Sequence, residues 1–205
     1  MMNRLMLSTA LGIVLLFAAC KNNSGNKAAS KANLDGFLVE ATLGNNLEKV
    51  VMRNNSGQTM EEGFVQNGLK EGVWITYDQD RGIKSLTSYL NGNLNGVYLE
   101  FNRQLHLIAH SNYVNNQLHG TSIKYKFGRP LEVQNYKDGK LDGFFRQYHE
   151  NTGKMQLEAE YKDGLQDGIM RYFNANEEII MEYVYKNGQK VSGGATTSKD
   201  TIISK

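Results

Sequence analysis

Apolar and polar residues alternate over much of the chain, in short runs that are separated by glycine. Val73, Ile75 and Tyr77 occupy every second position, and Val97, Leu99 and Phe101 repeat the arrangement. A period of two places successive side chains on opposite faces of a β-strand. Asn-Gly and Asp-Gly pairs lie between the runs, and such pairs favour tight hairpin turns because both residues tolerate positive φ. The pattern therefore predicts antiparallel hairpins.

The same hairpin unit recurs along the sequence. "YKDGKLDG" at 136–143 and "YKDGLQDG" at 161–168 are nearly identical, and looser copies begin at Phe64, Tyr89, Tyr113 and Tyr185. A turn residue and a second glycine four places later define each copy. These positions are Gly68 and Gly72, Gly92 and Gly96, Asn116 and Gly120, Gly139 and Gly143, Gly164 and Gly168, and Gly188. The turn positions are spaced by 23 to 25 residues, and such a period indicates a repeat architecture in which each unit packs on its neighbours.

The predicted fold is all-β, an elongated single-layer antiparallel sheet of stacked β-hairpin repeats. We expect the repeats to occupy residues 60–192, preceded by N-terminal strands or a cap at 37–59 and followed by a loose tail at 193–205. Asn116 replaces glycine in one turn, and asparagine tolerates the left-handed region better than most residues. We expect Asn116→Gly to be neutral or mildly stabilising if that site is left-handed.

The first residues have the layout of an export signal. Arg4 precedes an apolar run from Leu11 to Ala19, and small residues precede Cys20. This layout is typical of a secretory signal, and the run is shorter than the roughly 20 residues needed to span a bilayer. "FAAC" resembles the lipobox of bacterial lipoproteins, which implies cleavage after residue 19 and lipidation of Cys20. Residues 20–36 would then be a lipidated cysteine and a flexible tether. The alternatives are an uncleaved anchor and an ordinary signal peptide.

Composition and charge exclude several kinds of function. The net charge is +2, which gives no electrostatic support for binding nucleic acid. The single cysteine allows neither a disulfide framework nor a thiolate metal cage within one chain. His106 and His110 would lie about 13 Å apart on a strand, too far for one metal ion. No nucleophile elbow or phosphate loop occurs. We expect no metal, no cofactor and no enzymatic activity.

The candidate binding residues lie two places after the second glycine of each repeat. Large side chains occupy this position in four repeats, namely Trp74, Tyr98, Phe145 and Met170. They would form a stripe on one face of the sheet, either as anchors for a protein partner or as core residues covered by the chain's own segments, such as residues 34–58. On the other face, Arg146 and Arg171 continue an aliphatic column. They could attract a carboxylate or phosphate group, or could form salt bridges with Glu158 and Glu160.

The repeat as a whole resembles a known family. Tyr-x-(Asn/Asp)-Gly-x-x-x-Gly, with an aromatic residue five places later, is similar to MORN-type repeats, and in particular to bacterial MORN-like antitoxins of the YwqK family. Three residues depart from the pattern: Phe64 is shifted by one position, and Asn116 and Ser192 each stand where glycine is expected. The resemblance implies a sheet that binds a protein partner, as an envelope scaffold or adaptor or as an antitoxin that neutralises a toxin. With the lipobox, it predicts a membrane-anchored envelope protein, and the outer membrane is favoured over the inner.

Overall fold

The computed structural model describes residues 31–196, which form a single open antiparallel sheet of 15 strands. The predicted all-β fold of stacked hairpins is confirmed. The strands are β1 (Phe37–Leu43), β2 (Leu47–Arg53), β3 (Thr59–Gln66), β4 (Leu69–Tyr77), β5 (Ile83–Leu90), β6 (Asn93–Phe101), β7 (Leu107–Val114), β8 (Gln117–Leu118), β9 (Gly120–Lys126), β10 (Arg129–Lys137), β11 (Lys140–Tyr148), β12 (Met155–Lys162), β13 (Leu165–Phe173), β14 (Ile179–Lys186) and β15 (Gln189–Ala195). Spatial order follows chain order, except that the short β8 pairs only with β7.

Some predictions concern residues outside this range. The signal sequence, Cys20 and the tail beyond residue 196 lie outside the described residues. The sheet itself runs past the predicted boundary at 192, because β15 ends at Ala195. Within residues 31–196, the structure contains no helix that is long and apolar enough to cross a membrane.

The repeated turn residues share a left-handed backbone. All have positive φ, including Asn116 at 66° and Gly164 at 87°. An L-residue with a Cβ atom is strained in this region, and glycine or asparagine is tolerated there. The full set with positive φ is Gly68, Gly72, Gly92, Gly96, Asn116, Gly120, Gly139, Gly143, Gly164, Gly168 and Gly188.

The second glycine of each repeat pairs with the tyrosine that begins the next. The pairs are Gly72 with Tyr89, Gly96 with Tyr113, Gly120 with Tyr136, Gly143 with Tyr161 and Gly168 with Tyr185. The spacing between glycine and tyrosine in the sequence is thus a cross-strand register. An aromatic residue opposite a glycine also supplies packing area that the glycine lacks.

Successive turns are joined by backbone hydrogen bonds. The amide of Gly164 donates to the carbonyl of Leu141 at 2.8 Å, and the amide of Gly188 donates to the carbonyl of Gln166 at 2.8 Å. Gly92, Asn116 and Gly139 make the equivalent bond to Lys70, Leu94 and Leu118. Each hairpin is therefore held by its predecessor at the turn as well as along the strands, which suits a one-dimensional stack.

A small hydrophobic core lies at the N-terminal end of the sheet. Val50, Val65 and Trp74 are buried, and Leu34, Phe37 and Tyr89 pack against them. Residues 31–36, which we call the strap, precede β1. The Ala32 amide donates to the Gly68 carbonyl at 2.9 Å. This part of the predicted tether therefore lies against the sheet, because Leu34 gains apolar contacts there.

Candidate binding surface

The four stripe residues belong to one continuous row of cross-strand neighbours, which we call the Trp74 row. Trp74 pairs with Thr87, which pairs with Tyr98, which pairs with Ser111. Ser111 is hydrogen-bonded to Ser122 through their hydroxyl groups at 2.8 Å. From there the pairs continue through Gln134, Phe145, Ala159, Met170 and Tyr183. Paired residues share a face of the sheet, so the structure brings all four predicted side chains onto one surface.

Trp74 is a core residue and not an accessible anchor. Only 1% of its surface is exposed. Its ring meets Phe37 edge-on at 5.7 Å, and its Nε1 donates to the Phe64 carbonyl at 2.9 Å. Gly63 lies directly beneath, where a Cβ atom would collide with the indole. Of the two alternatives for Trp74, the structure supports a core residue over a partner-binding anchor, because the strap and β1 cover this end of the row.

The rest of the row is partly exposed. Tyr98, Phe145 and Met170 are each of intermediate exposure. The Tyr98 hydroxyl donates to Glu100 Oε2 at 3.1 Å, and burial, together with the nearby Glu100 carboxylate, raises the pKa of Tyr98 to about 12. It is therefore a neutral hydrogen-bond donor at ordinary pH. Phe145 packs edge-on against Tyr161 at 6.3 Å. Tyr161 and Tyr183 also belong to this surface. They were not predicted from the sequence, although their positions in the repeat were visible there.

The opposite face carries a second row that changes character along the stack. It begins with aliphatic pairs, Ile75 with Leu86 and Leu86 with Leu99. It ends with Val133, Arg146, Glu158, Arg171 and Glu182 in cross-strand register. The last four of these residues alternate in charge.

Arg146 and Arg171 are already paired with carboxylates. Arg146 Nε lies 2.7 Å from Glu158, and Arg171 Nε lies 2.8 Å from Glu182. Arg171 Nη1 also approaches Glu158 at 3.8 Å. The salt-bridge alternative is the one that the structure supports, with Glu182 in place of Glu160 as the second acid. An external carboxylate or phosphate would have to displace these partners, so the predicted binding role of both arginines lacks structural support.

An acidic residue before the second glycine links consecutive turns. Asp167 accepts from the Asn187 amide at 3.2 Å and lies 2.9 Å from Lys186 Nζ. The Lys186 hydrogen bond, followed by that from the Asn187 amide, lowers the pKa of Asp167. Asp142 makes the same contacts with Lys162 and the Asp163 amide, and its pKa is lowered for the same reasons. Sequence reasoning treated this position as variable, although "LDG" and "QDG" align there.

Chemistry of other kinds is sparse in the part of the chain that the structure describes. Residues 31–196 contain no cluster of three histidine, cysteine, aspartate or glutamate side chains that could hold a metal ion. A cleft of about 340 Å³ lies at the turn edge, between residues 149–152 and Ala175. At the opposite ends of the strands from this cleft, the ring of His119 lies 3.3 Å from the exposed Asp138 carboxylate.

Comparisons with known proteins add little to this surface. Neither the protein-family models nor the curated protein sequences include a match to the chain. One solved structure that resembles it is that of an S. aureus TarM mutant in complex with Fondaparinux, alpha-GlcNAc-glycerol and UDP. That match has 18% identity and a TM-score of 0.32, and it covers 46% of this chain and 19% of the TarM chain. A similarity this distant carries no functional argument.

Proposed function

We propose that the chain is an exported lipoprotein, anchored in the outer membrane through Cys20, whose sheet binds a protein partner as an envelope scaffold or adaptor. The observation that supports it best is the partly exposed section of the Trp74 row, from Tyr98 to Tyr183. Aromatic residues and methionine are enriched at protein interfaces. The resemblance to MORN-type repeats supports the same proposal, and the proposal involves binding alone, without a catalytic step.

Two properties of the row favour a protein partner. It crosses the sheet from β6 to β14, which provides a long continuous surface. It also combines aromatic rings with hydroxyl and amide groups, including Tyr98, Ser122, Gln134 and Tyr183. Interfaces of non-obligate complexes have this mixed character, with a few aromatic anchors among polar contacts.

Adjacent phenylalanines provide a matched test of this surface. Phe145 lies in the Trp74 row, whereas Phe144 lies on the opposite face and is 39% exposed. Membranes that carry the intact lipoprotein would be solubilised and the protein recovered with its partners. We expect Phe145→Ala to lower partner recovery about tenfold, equivalent to about 1.4 kcal/mol, and Phe144→Ala to leave it unchanged.

Thermal unfolding of both variants separates loss of binding from loss of folding. The same partner recovered at wild-type levels by a folded Phe145→Ala protein would contradict the assignment of the surface. Recovery of no protein partner by the wild type would contradict the proposed function itself. A small toxic protein from a neighbouring gene as the partner would favour the antitoxin alternative over the scaffold.

A further inference from the structure

We infer that Asn67 is a site of spontaneous deamidation, in which its side-chain amide is converted to a carboxylate through a cyclic imide. Asn-Gly pairs form three of the hairpin turns within residues 31–196, namely Asn67 with Gly68, Asn91 with Gly92, and Asn187 with Gly188. All three share one backbone conformation, with φ of 49–52° at the asparagine and 75–80° at the glycine. A difference in reactivity between them must therefore come from their surroundings.

The reaction joins the backbone nitrogen of Gly68 to the side chain of Asn67. The nitrogen loses its proton to hydroxide and attacks Cγ, and the bond from Cγ to Nδ2 then breaks as Nδ2 takes a proton from water and leaves as ammonia. Water opens the cyclic imide at either carbonyl carbon, which gives aspartate or isoaspartate. Glycine has no side chain to obstruct the attack. The product adds one negative charge beside the Gly68 carbonyl, which accepts from the Ala32 amide of the strap.

The attacking nitrogen is free only in the first of these turns. The amides of Gly92 and Gly188 each donate to a carbonyl of the preceding repeat at 2.8 Å, whereas the Gly68 amide has no acceptor among residues 31–196. In the first repeat the amide that reaches the preceding turn is that of Asn67, which donates to the Asn46 carbonyl at 3.4 Å. A hydrogen-bonded N–H is harder to deprotonate, because deprotonation also loses the bond to the acceptor. The inter-turn bond therefore protects the later repeats from the reaction.

The carbonyl under attack is polarised by the neighbouring turn. Asn46 Nδ2 donates to Asn67 Oδ1 at 3.2 Å. A donor at this oxygen stabilises the negative charge that develops there as the nitrogen attacks Cγ. The hydrogen bonds of Asn91 and Asn187 within residues 31–196 involve their backbone atoms instead. Asn67 is also exposed, so water and hydroxide reach it. A free nitrogen and a polarised carbonyl thus coincide at Asn67.

Timed incubation of the folded full-length chain in detergent, at mildly alkaline pH, tests this order of reactivity. Peptide mapping by mass spectrometry follows aspartate and isoaspartate at each turn, and digestion in isotopically heavy water marks any deamidation that occurs during digestion. We expect Asn67 to react about tenfold faster than Asn91 or Asn187, the factor that a hydrogen bond of about 1.4 kcal/mol supplies. In denaturant the three rates should converge. A folded-state rate at Asn67 no higher than at the other two would overturn the proposal, as would the same order of rates in denaturant.

Asn46→Asp tests the polarising contact. Aspartate tolerates the φ of 57° at this position and removes the donor to Asn67. We expect deamidation at Asn67 to slow at least about threefold, while the rate at Asn91 is unchanged. Asn45→Asp adds the same charge at the adjacent turn position, where φ is 63°, and should react like the wild type. An Asn67 rate that Asn46→Asp leaves unchanged, or that both variants slow equally, would contradict the role of Asn46. The wild-type comparison decides the proposal even if Asn46→Asp fails to fold.

Discussion

At the scale of single residues, position in the repeat determines which face a side chain occupies but not whether it is buried. Trp74 and Tyr98 occupy the same place in consecutive repeats and lie in the same row. Trp74 is buried because Leu34 and Phe37 reach it, whereas Tyr98 lies further along the stack and is partly exposed. The repeat pattern predicts the shared face. It leaves the cover open, because residues 34–58 are one candidate cover while Leu34 also lies in the polar stretch whose composition indicates a tether.

Replacement of Trp74 should therefore affect stability. We expect Trp74→Ala to lower the free energy of unfolding by about 3–5 kcal/mol, the range typical of large-to-small changes in a core. The indole fills the space above Gly63 and contacts Phe37 and Tyr89. Denaturant unfolding measures the change, with Phe144→Ala as an exposed aromatic control. A loss for Trp74→Ala no larger than that of the control would contradict the buried position.

The side chain of Asn116 makes its replacement by glycine costly. Its Nδ2 donates to Asn93 Oδ1 at 2.6 Å, and its Oδ1 accepts from the Leu94 amide at 2.7 Å. Glycine would remove backbone strain but also both bonds to the preceding turn. Each such bond contributes about 0.5–1.5 kcal/mol, so we now expect Asn116→Gly to be destabilising. Thermal unfolding of Asn116→Gly measures the effect, with Asn115→Gly at the adjacent turn position as the control. A rise in the melting temperature of Asn116→Gly would contradict the prediction.

At the scale of elements, the sequence predicts the turns and strands whose formation depends on local chemistry alone. Asn-Gly and Asp-Gly turns and the alternation around residues such as Ile75 locate the inner hairpins, because positive φ and a period of two are local properties. The pairing of Gly143 with Tyr161 and the bond from Asp142 to the next turn are relations between strands. They become visible only when the register is known. Asp142 and Asp167, which align directly before the second glycine, were the signal in the sequence that could have indicated these bonds to the following turn.

The turn acids should make stability depend on acidity. The pKa of Asp142 and that of Asp167 lie below the ordinary 3.8 in the folded protein. Their stabilising contribution is therefore complete above that value and is lost as the pH falls through the lowered folded pKa. We expect the Asp142→Asn, Asp167→Asn double variant to melt lower than the wild type at neutral pH. The difference should shrink in strong acid.

Asp163→Asn is the matched control for this pair. Asp163 is an exposed turn residue with a φ of 50°, and it contributes its backbone amide to the contact with Asp142. Asparagine is well tolerated in such a turn, so this change should leave the melting temperature and its pH dependence close to those of the wild type. A double variant that follows the wild type at every pH would contradict the role of the acids.

At the scale of the whole molecule, most contacts join neighbouring hairpins. The sheet follows chain order from β1 to β15, and the turn bonds run from each repeat to the one before it. Long-range closure is absent from this pattern within residues 31–196, so each repeat contributes its own stability and one interface on either side. The two ends of the sheet differ. The strap covers the first repeats, and β15 has Val191 at the repeat position that Asp142 and Asp167 occupy in inner repeats.

This architecture predicts that one complete repeat can be removed. Excision of residues 140–164 joins "YKDG" directly to "LQDG", so that β10 would pair with β13 through an intact turn. The excised segment contains both members of the Lys162–Asp142 pair and leaves Arg171 with Glu182. We expect a folded all-β chain that is less stable, with a smaller denaturant m-value because less surface is exposed on unfolding.

Excision of residues 140–152 is the control. It removes β11 with its turn, so that every later strand would have to run in the opposite direction, and this protein should not fold. Circular dichroism and denaturant unfolding of the two proteins decide the matter. An unfolded product of the first excision would show that the stack is cooperative as a whole and not additive by repeat.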